Sequence, residues 1–193
     1  MFKRNFSLYE MLNPVEYSEL IITEGIKIDV KKHKITETFI CSVVKQKYDE
    51  LGDMAQFVRD NIGFPCVINN WHNKKSYIAL FSSLSKDTSN EEIRKAILKE
   101  YIETQDDVSF FQNSGTRLML DCKIGAKLSA HRFGMAVDIK VSVFDKFPTD
   151  IRKERYKQAK EYLLTKSDKY NYERDCTWIH VDFRKNVNHY FSV

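Results

Sequence analysis

Apolar positions in this chain keep a helical rhythm through the first half and a strand-like rhythm of two toward the end. From Glu37 to Asn61, Phe39, Ile40, Val43 and Val44 are followed by Leu51, Met54, Ala55 and Val58, with Ile62 just beyond. That spacing predicts one or two amphipathic helices, broken near Gly52. Gly63 closes the second and Pro65 follows it, a combination that ends helices. Upstream, Asn5 or Ser7 is placed to cap a turn through Leu8, Met11 and Leu12 that stops before Pro14, so residues 1–62 read as an N-terminal helical segment. Residues 66–71, Cys-Val-Ile-Asn-Asn-Trp, predict a buried strand. The stretch 74–108 is less regular: Tyr77–Phe81 is apolar, and Ser89 or Asn90 caps a helix from Glu91 to Ile102 with Ile93, Ala96, Ile97 and Tyr101 on one face. Beyond Gly115, Arg117–Leu120 predicts a short strand and Ala136–Val143 a better one. Thr149 caps a charged helix to about Thr165, and Thr177–Phe183 is the last strand. Helices come first and strands mostly later, which makes the class α+β in a single domain, 1–193.

Composition narrows the reading. With 193 residues, 42% apolar and 13% aromatic, the chain has the means to bury one core. The net charge of +4 is mild. It suits an anionic surface such as a cell wall, but the basic residues are scattered rather than clustered, so no nucleic acid is expected as partner. The run Lys31-Lys32-His33-Lys34 reads as a solvated loop. Cys41, Cys66, Cys122 and Cys176 lack any C-x-x-C spacing and fit reduced thiols better than a disulfide framework. The opening MFKRNFSLYEMLNP has no apolar stretch of the signal-peptide kind, and no run approaches a membrane span. The expectation is a protein cytoplasmic as synthesised, without a membrane partner.

Two segments carry chemistry. Ser129-Ala130-His131-Arg132-Phe133-Gly134-Met135-Ala136-Val137-Asp138 is the first, and Thr177-Trp178-Ile179-His180-Val181-Asp182 the second. Catalytic zinc takes about three nitrogen or oxygen ligands and keeps one open position. His131 and Asp138 are seven apart, too far for one helix face but right for a turn that leads into a strand. Gly134 permits the turn and Ala136 a close backbone approach. By alternation, Trp178, His180 and Asp182 share one face of the final strand.

The pattern S-x-H-x-x-G-x-A-x-D followed by W-x-H resembles the zinc peptidases that share a fold with D-alanyl-D-alanine carboxypeptidase: the D-alanyl-D-alanine dipeptidases, phage L-alanyl-D-glutamate endolysins and the hedgehog signalling domain. Ser114-Gly115-Thr116-Arg117 looks like the family's S-G-x-R strand, and Ile68-Asn69-Asn70-Trp71 like the strand before it in small phage-encoded members. The resemblance implies a small antiparallel sheet that carries the zinc site, with helices packed on one face. It implies one Zn2+ ion on His131, Asp138 and His180. It also implies that Arg117 stabilises the oxyanion and that Ser129, with Trp178 beside it, binds substrate.

Hydrolysis also needs a carboxylate to take the proton of the attacking water and pass it to the leaving amine. The dipeptidases and hedgehog domains have a Glu three positions before the final His, where this chain has Thr177. Glu173 and Asp175, in the turn entering the last strand, and Asp182, on the face of His180, are the remaining acids. Glu173 is favoured because its longer side chain suits the added distance, while Asp182 suits either the base or a partner that orients a ligand histidine. A second departure is the 42 residues between Trp71 and Ser114, which read as an insertion (about 74–108), a lid or docking surface or a plain elaboration. His72 and His189 are expected to bind no metal. The functional expectation is a metallopeptidase cutting an amide bond in peptidoglycan stem peptides, endolysin-like or virion-associated. The alternative is a non-catalytic zinc-binding structural or interaction protein, as in a phage virion. A purely structural zinc takes four protein ligands, and Cys176, four residues before His180, is the cysteine placed to be the fourth.

Overall fold

In the computed structural model the described residues are 5–6, 8–11, 14, 17–18, 28–29, 34–35, 42–69, 74–104, 130–185 and 189–191. A short helix α1 (Leu8–Met11) precedes a two-stranded antiparallel ribbon, β1 (Ile28–Asp29) and β2 (Lys34–Ile35). The Asn5 main-chain N–H donates to Gln56 Oε1 at 2.7 Å and ties the N-terminal segment to the next helix; Ser7, the other candidate cap of α1, lies outside the described residues.

That helix, α2 (Ser42–Ile62), runs unbroken through Gly52, where the sequence predicts an interruption. A mid-helix glycine costs about 1 kcal/mol against alanine. Leu51, Met54, Ala55 and Val58 form one stripe with no more than 2% exposure, and burial of that stripe outweighs the cost. Gly63 ends α2 as expected, at φ +72°, with its N–H on Arg59 O at 3.0 Å.

Strand β3 (Cys66–Ile68) is shorter than the segment 66–71, although Asn69 N–H still donates to Asp138 O at 2.8 Å. Next come helices α3 (Lys75–Ser83) and α4 (Asn90–Glu103). Ser89 caps α4 in a reciprocal box: its Oγ accepts from Glu92 N, and its own N–H donates to Glu92 Oε2 at 2.9 Å. Tyr77, Phe81, Ile93, Ile97 and Tyr101 from this pair join the main core. Residues 74–104 are therefore a helical hairpin built into the core; 105–108 lie outside the described residues.

Five strands form the central sheet in the order β3-β4-β6-β5-β7, with β4 at Ala136–Val141, β5 at Asn171–Glu173, β6 at Ile179–Asp182 and β7 at Tyr190–Phe191. The first three junctions are antiparallel, but β5 and β7 run parallel, so the sheet is mixed rather than antiparallel. The reason is topological. After β6 the chain reverses within a few residues, and β5 already fills the place beside β6. Strand β7 therefore takes the free edge of β5, held by Tyr172 N–H on His189 O (2.8 Å) and Arg174 N–H on Phe191 O (2.6 Å).

Between β4 and β5 lies α5 (Thr149–Leu164). Thr149 is its first helical residue rather than its cap; Pro148 occupies the cap position, and its carbonyl accepts from Arg152 N at 2.8 Å. Buried Tyr156, Ala159 and Leu163 lie on one face of α5, and Tyr156 Oη accepts from Val141 N at 2.9 Å, anchoring the helix to β4. Val137, Ile139, Val141, Ile179, Val181 and Tyr172 meet α2 and α5 on one face of the sheet. By alternation Asp138, His180, Asp182, Asn171 and Glu173 lie on the other. No described helix is long and apolar enough to cross a membrane.

Candidate metal centre

His131 sits in a single 3₁₀ turn, Ala130–Phe133, that opens onto β4. Gly134 ends the turn at φ +62°, a left-handed conformation that any Cβ would strain. Met135 N–H closes back on Ala130 O at 3.0 Å. The turn thus sets His131 at the start of the strand that carries Asp138. Register does the rest: Asp138 on β4 is directly opposite His180 on β6, and Ala136 is opposite Asp182.

Three donor atoms converge. His180 Nδ1 lies 2.9 Å from Asp138 Oδ1, His131 Nε2 lies 3.2 Å from the same oxygen, and the two ring nitrogens are 3.0 Å apart. Ligands about 2.0–2.1 Å from a tetrahedral metal sit roughly 3.3 Å from one another, close to these separations. Two imidazole nitrogens facing each other at 3.0 Å require a proton or a cation between them, and the carboxylate at the third corner supplies the negative charge. The cluster His131, Asp138 and His180 could hold a metal ion. Asp138 and His180 are 6% and 7% exposed, so neither is a surface group in casual contact.

Electrostatics follow from this packing. Burial disfavours the charge on Asp138, but His131 and His180 outweigh it and hold the carboxyl far below its ordinary range. Burial also opposes the imidazolium of His180; its hydrogen bonds to Asp138 and Asp182 prevail and raise its pKa from 6.5 to about 9 in the metal-free protein.

Asp182 is fully buried and crowded with donors. Its Oδ1 accepts from Asn171 Nδ2 (2.8 Å) and Arg184 N (3.0 Å), and its Oδ2 from Arg184 Nη2 (2.6 Å) and Nε (3.0 Å). The same Oδ2 is 3.5 Å from His180 Nε2, on the ring edge away from the cluster. Against the cost of burial, the bonds from His180, Arg184 and Asn171 hold this carboxyl well below the ordinary range. The Arg184 guanidinium also stacks 5.1 Å over Phe191, whose ring meets His180 edge-on at 6.0 Å. Asn171, Arg184 and Phe191 were not singled out by the sequence. Arg184 is two beyond Asp182 and so legible by alternation, whereas Asn171 and Phe191 sit on strands too short to leave a period.

Glu173 is the last residue of β5, not part of a turn. The β5–β6 ladder pairs Asn171 with Asp182 and Tyr172 with Val181; Glu173 shares the face of Asn171 by alternation, and its charge acts on His180. Trp178 precedes β6, which starts at Ile179; it is half-buried and its carbonyl faces Cys176 Sγ at 3.1 Å. Cys176 is a buried free thiol whose sulfur lies against Trp178 O and Lys160 Nζ; it is outside the metal cluster. His189 is exposed, also outside the cluster. Arg117, Ser129, Ser114–Thr116, Trp71 and His72 lie outside the described residues. No family model matches the chain, and no curated protein or solved structure shows significant similarity to it.

Proposed function

We propose that this protein is a zinc-dependent peptidase of the D-alanyl-D-alanine peptidase and hedgehog kind, hydrolysing an amide bond in peptidoglycan stem peptides. The observation that carries the reading is the convergence of His131 Nε2, Asp138 Oδ1 and His180 Nδ1 within 3.2 Å of one another. Two nitrogens and one oxygen suit zinc, and three protein donors leave a position for an exchangeable ligand. When bound, the ion would supply Lewis acidity, drawing charge from a carbonyl oxygen and making a water more acidic near neutral pH.

The chain's own groups divide the remaining work. Glu173, on the same sheet face as His180 by strand alternation, takes the proton of the attacking water and delivers it to the leaving amine. Asp182, with its oxygens already engaged by Arg184 and Asn171, is a poor proton acceptor; it holds His180 through Nε2 so that Nδ1 is presented to the centre. Phe191 packs against His180 and keeps water from that side of the ring. Arg117 as oxyanion partner and Ser129 and Trp178 as substrate contacts rest on the family resemblance.

A second reading, a zinc-binding protein without catalysis such as a virion component, is favoured by Thr177 at the position of the family's Glu. Cys176 argues against it, since its thiol is engaged elsewhere and supplies no fourth protein ligand. Release of new amino groups from purified peptidoglycan by the zinc-loaded protein tests the two. The expected outcome is release that vanishes in His180→Ala and falls roughly 10²–10⁴-fold in Glu173→Gln. Zinc bound one per chain with no release from walls of several chemotypes would establish the second reading.

A further inference from the structure

Lys160, on α5, is fully buried. Its Nζ donates to Arg174 O at 2.6 Å and to Cys176 O at 2.9 Å, and lies 3.6 Å from Cys176 Sγ. All three acceptors belong to the loop 174–178 that joins β5 to β6. An ammonium offers three donors and no acceptor, so it can gather several inward-facing carbonyls that a five-residue loop has no amides to satisfy. Burial lowers the pKa of Lys160, and the nearby Cys176, Glu173 and Asp175 work against that shift. Glu173 directly precedes Arg174, whose carbonyl Lys160 holds, and by alternation it lies on the sheet face of His180.

The loop is bounded by Glu173 on one side and by the strand of His180 on the other. His180 has a second anchor, its register with Asp138 on β4. Glu173 is paired only with Phe191 of the two-residue edge strand β7, and the residue after it is held from both ends, its N–H by Phe191 O and its carbonyl by Lys160 Nζ. We infer that Lys160 is a positioning residue: from the helix side of the sheet it fixes the β5–β6 loop and so aims Glu173 at the centre formed by Asp138 and His180. This inference rests on the peptidase reading and adds to it the device that sets the base.

The test compares zinc-loaded full-length wild type, Lys160→Met and Lys160→Gln. Hydrolysis of soluble stem peptides gives kcat and KM, and chelator competition gives zinc affinity. Lys160→Met is expected to lower kcat at least about tenfold while KM and zinc affinity stay within about threefold, because the ligands are set by β4 and β6. Lys160→Gln keeps a donor and is expected to fall between, and it decides the matter if the methionine variant does not fold. Unchanged kcat in both variants would overturn the inference alone. A joint fall of kcat, zinc affinity and melting temperature would also overturn it, by making Lys160 a general support of the fold. A wild type that hydrolyses no stem peptide removes the peptidase reading itself, and this role with it.

Discussion

On β4, Val137, Ile139 and Val141 face α2 and α5, while Asp138 faces away between them; on β6, Ile179 and Val181 face the helices, and His180 and Asp182 do not. Both faces are deeply buried at the centre of the sheet: Ile139 and Asp182 are equally inaccessible. What separates the faces is how each buried group is compensated. The aliphatic side chains gain from leaving water and need no particular partner. A buried carboxylate or imidazole is costly unless its polar atoms are met, and here Asp138 Oδ1, His180 Nδ1 and both Asp182 oxygens are each met by a named atom within hydrogen-bonding range. Burial alone therefore does not mark this site, whereas buried polarity with converging donors does.

The comparison can be broken most sharply at Ile139. Replacing it with alanine is expected to destabilise the fold by roughly 2–5 kcal/mol, read from urea denaturation, while the folded fraction still binds one zinc. A loss of zinc affinity in the folded protein as large as the loss of stability would erase the distinction between faces. The counterpart is Asp182→Asn, expected to weaken zinc binding roughly 10–100-fold with a smaller effect on stability, measured by chelator competition. Unaltered affinity would mean that the carboxylate does not hold His180.

A titration sharpens the same contrast, since the aliphatic side chains of β4 and β6 have no proton to lose. In the metal-free protein the pKa of His180 rises from 6.5 to about 9 on folding. The protonated form is favoured by the fold, so this stabilisation is complete below pH 6.5 and is lost as pH rises through about 9. Urea midpoints of the metal-free protein should fall across that window. Zinc affinity should rise over it, because the ligand form of histidine is neutral. Midpoints independent of pH there would show that His180 is not coupled to Asp138 and Asp182. The smallest effect is expected at Val67, which lies on the site face at the sheet margin and is 44% exposed. Val67→Ser should change stability by no more than about 0.5 kcal/mol and leave zinc binding unaltered; a larger loss would mean that this margin is packed.

Long elements with a strong period were legible in the sequence. The stripe Leu51, Met54, Ala55, Val58 named α2, and a cap at Ser89 or Asn90 with the face Ile93, Ala96, Ile97 and Tyr101 named α4 almost to its ends. The approach of His131 to Asp138 was legible too, because a turn glycine and a fixed interval bring both onto one strand entrance. The break at Gly52 failed because a local preference of about 1 kcal/mol was weighed without the packing that overrode it, and the helix at Thr149 begins one residue earlier than a Thr149 cap implies, with Pro148 at the cap position. Strands β5 and β7, at three and two residues, are too short to show alternation. Their loss from the sequence reading moved Glu173 into a turn and hid Asn171 and Phe191.

By itself the sequence determined the class and the parity that separates Asp138, His180 and Asp182 from their apolar neighbours, since both follow from residue type and local spacing, whereas the grouping of His131 with Asp138 and His180 as donors rested on the motif's resemblance to a family. Only the tertiary structure decided what meets what. The register between β4 and β6 sets Asp138 against His180, the parallel edge strand carries Phe191 to the imidazole, and α5 brings Lys160 beneath the loop after Glu173. Those contacts join residues far apart along the chain, and their stability depends on closing the whole sheet against its helices, a cooperative event that no local window of sequence contains.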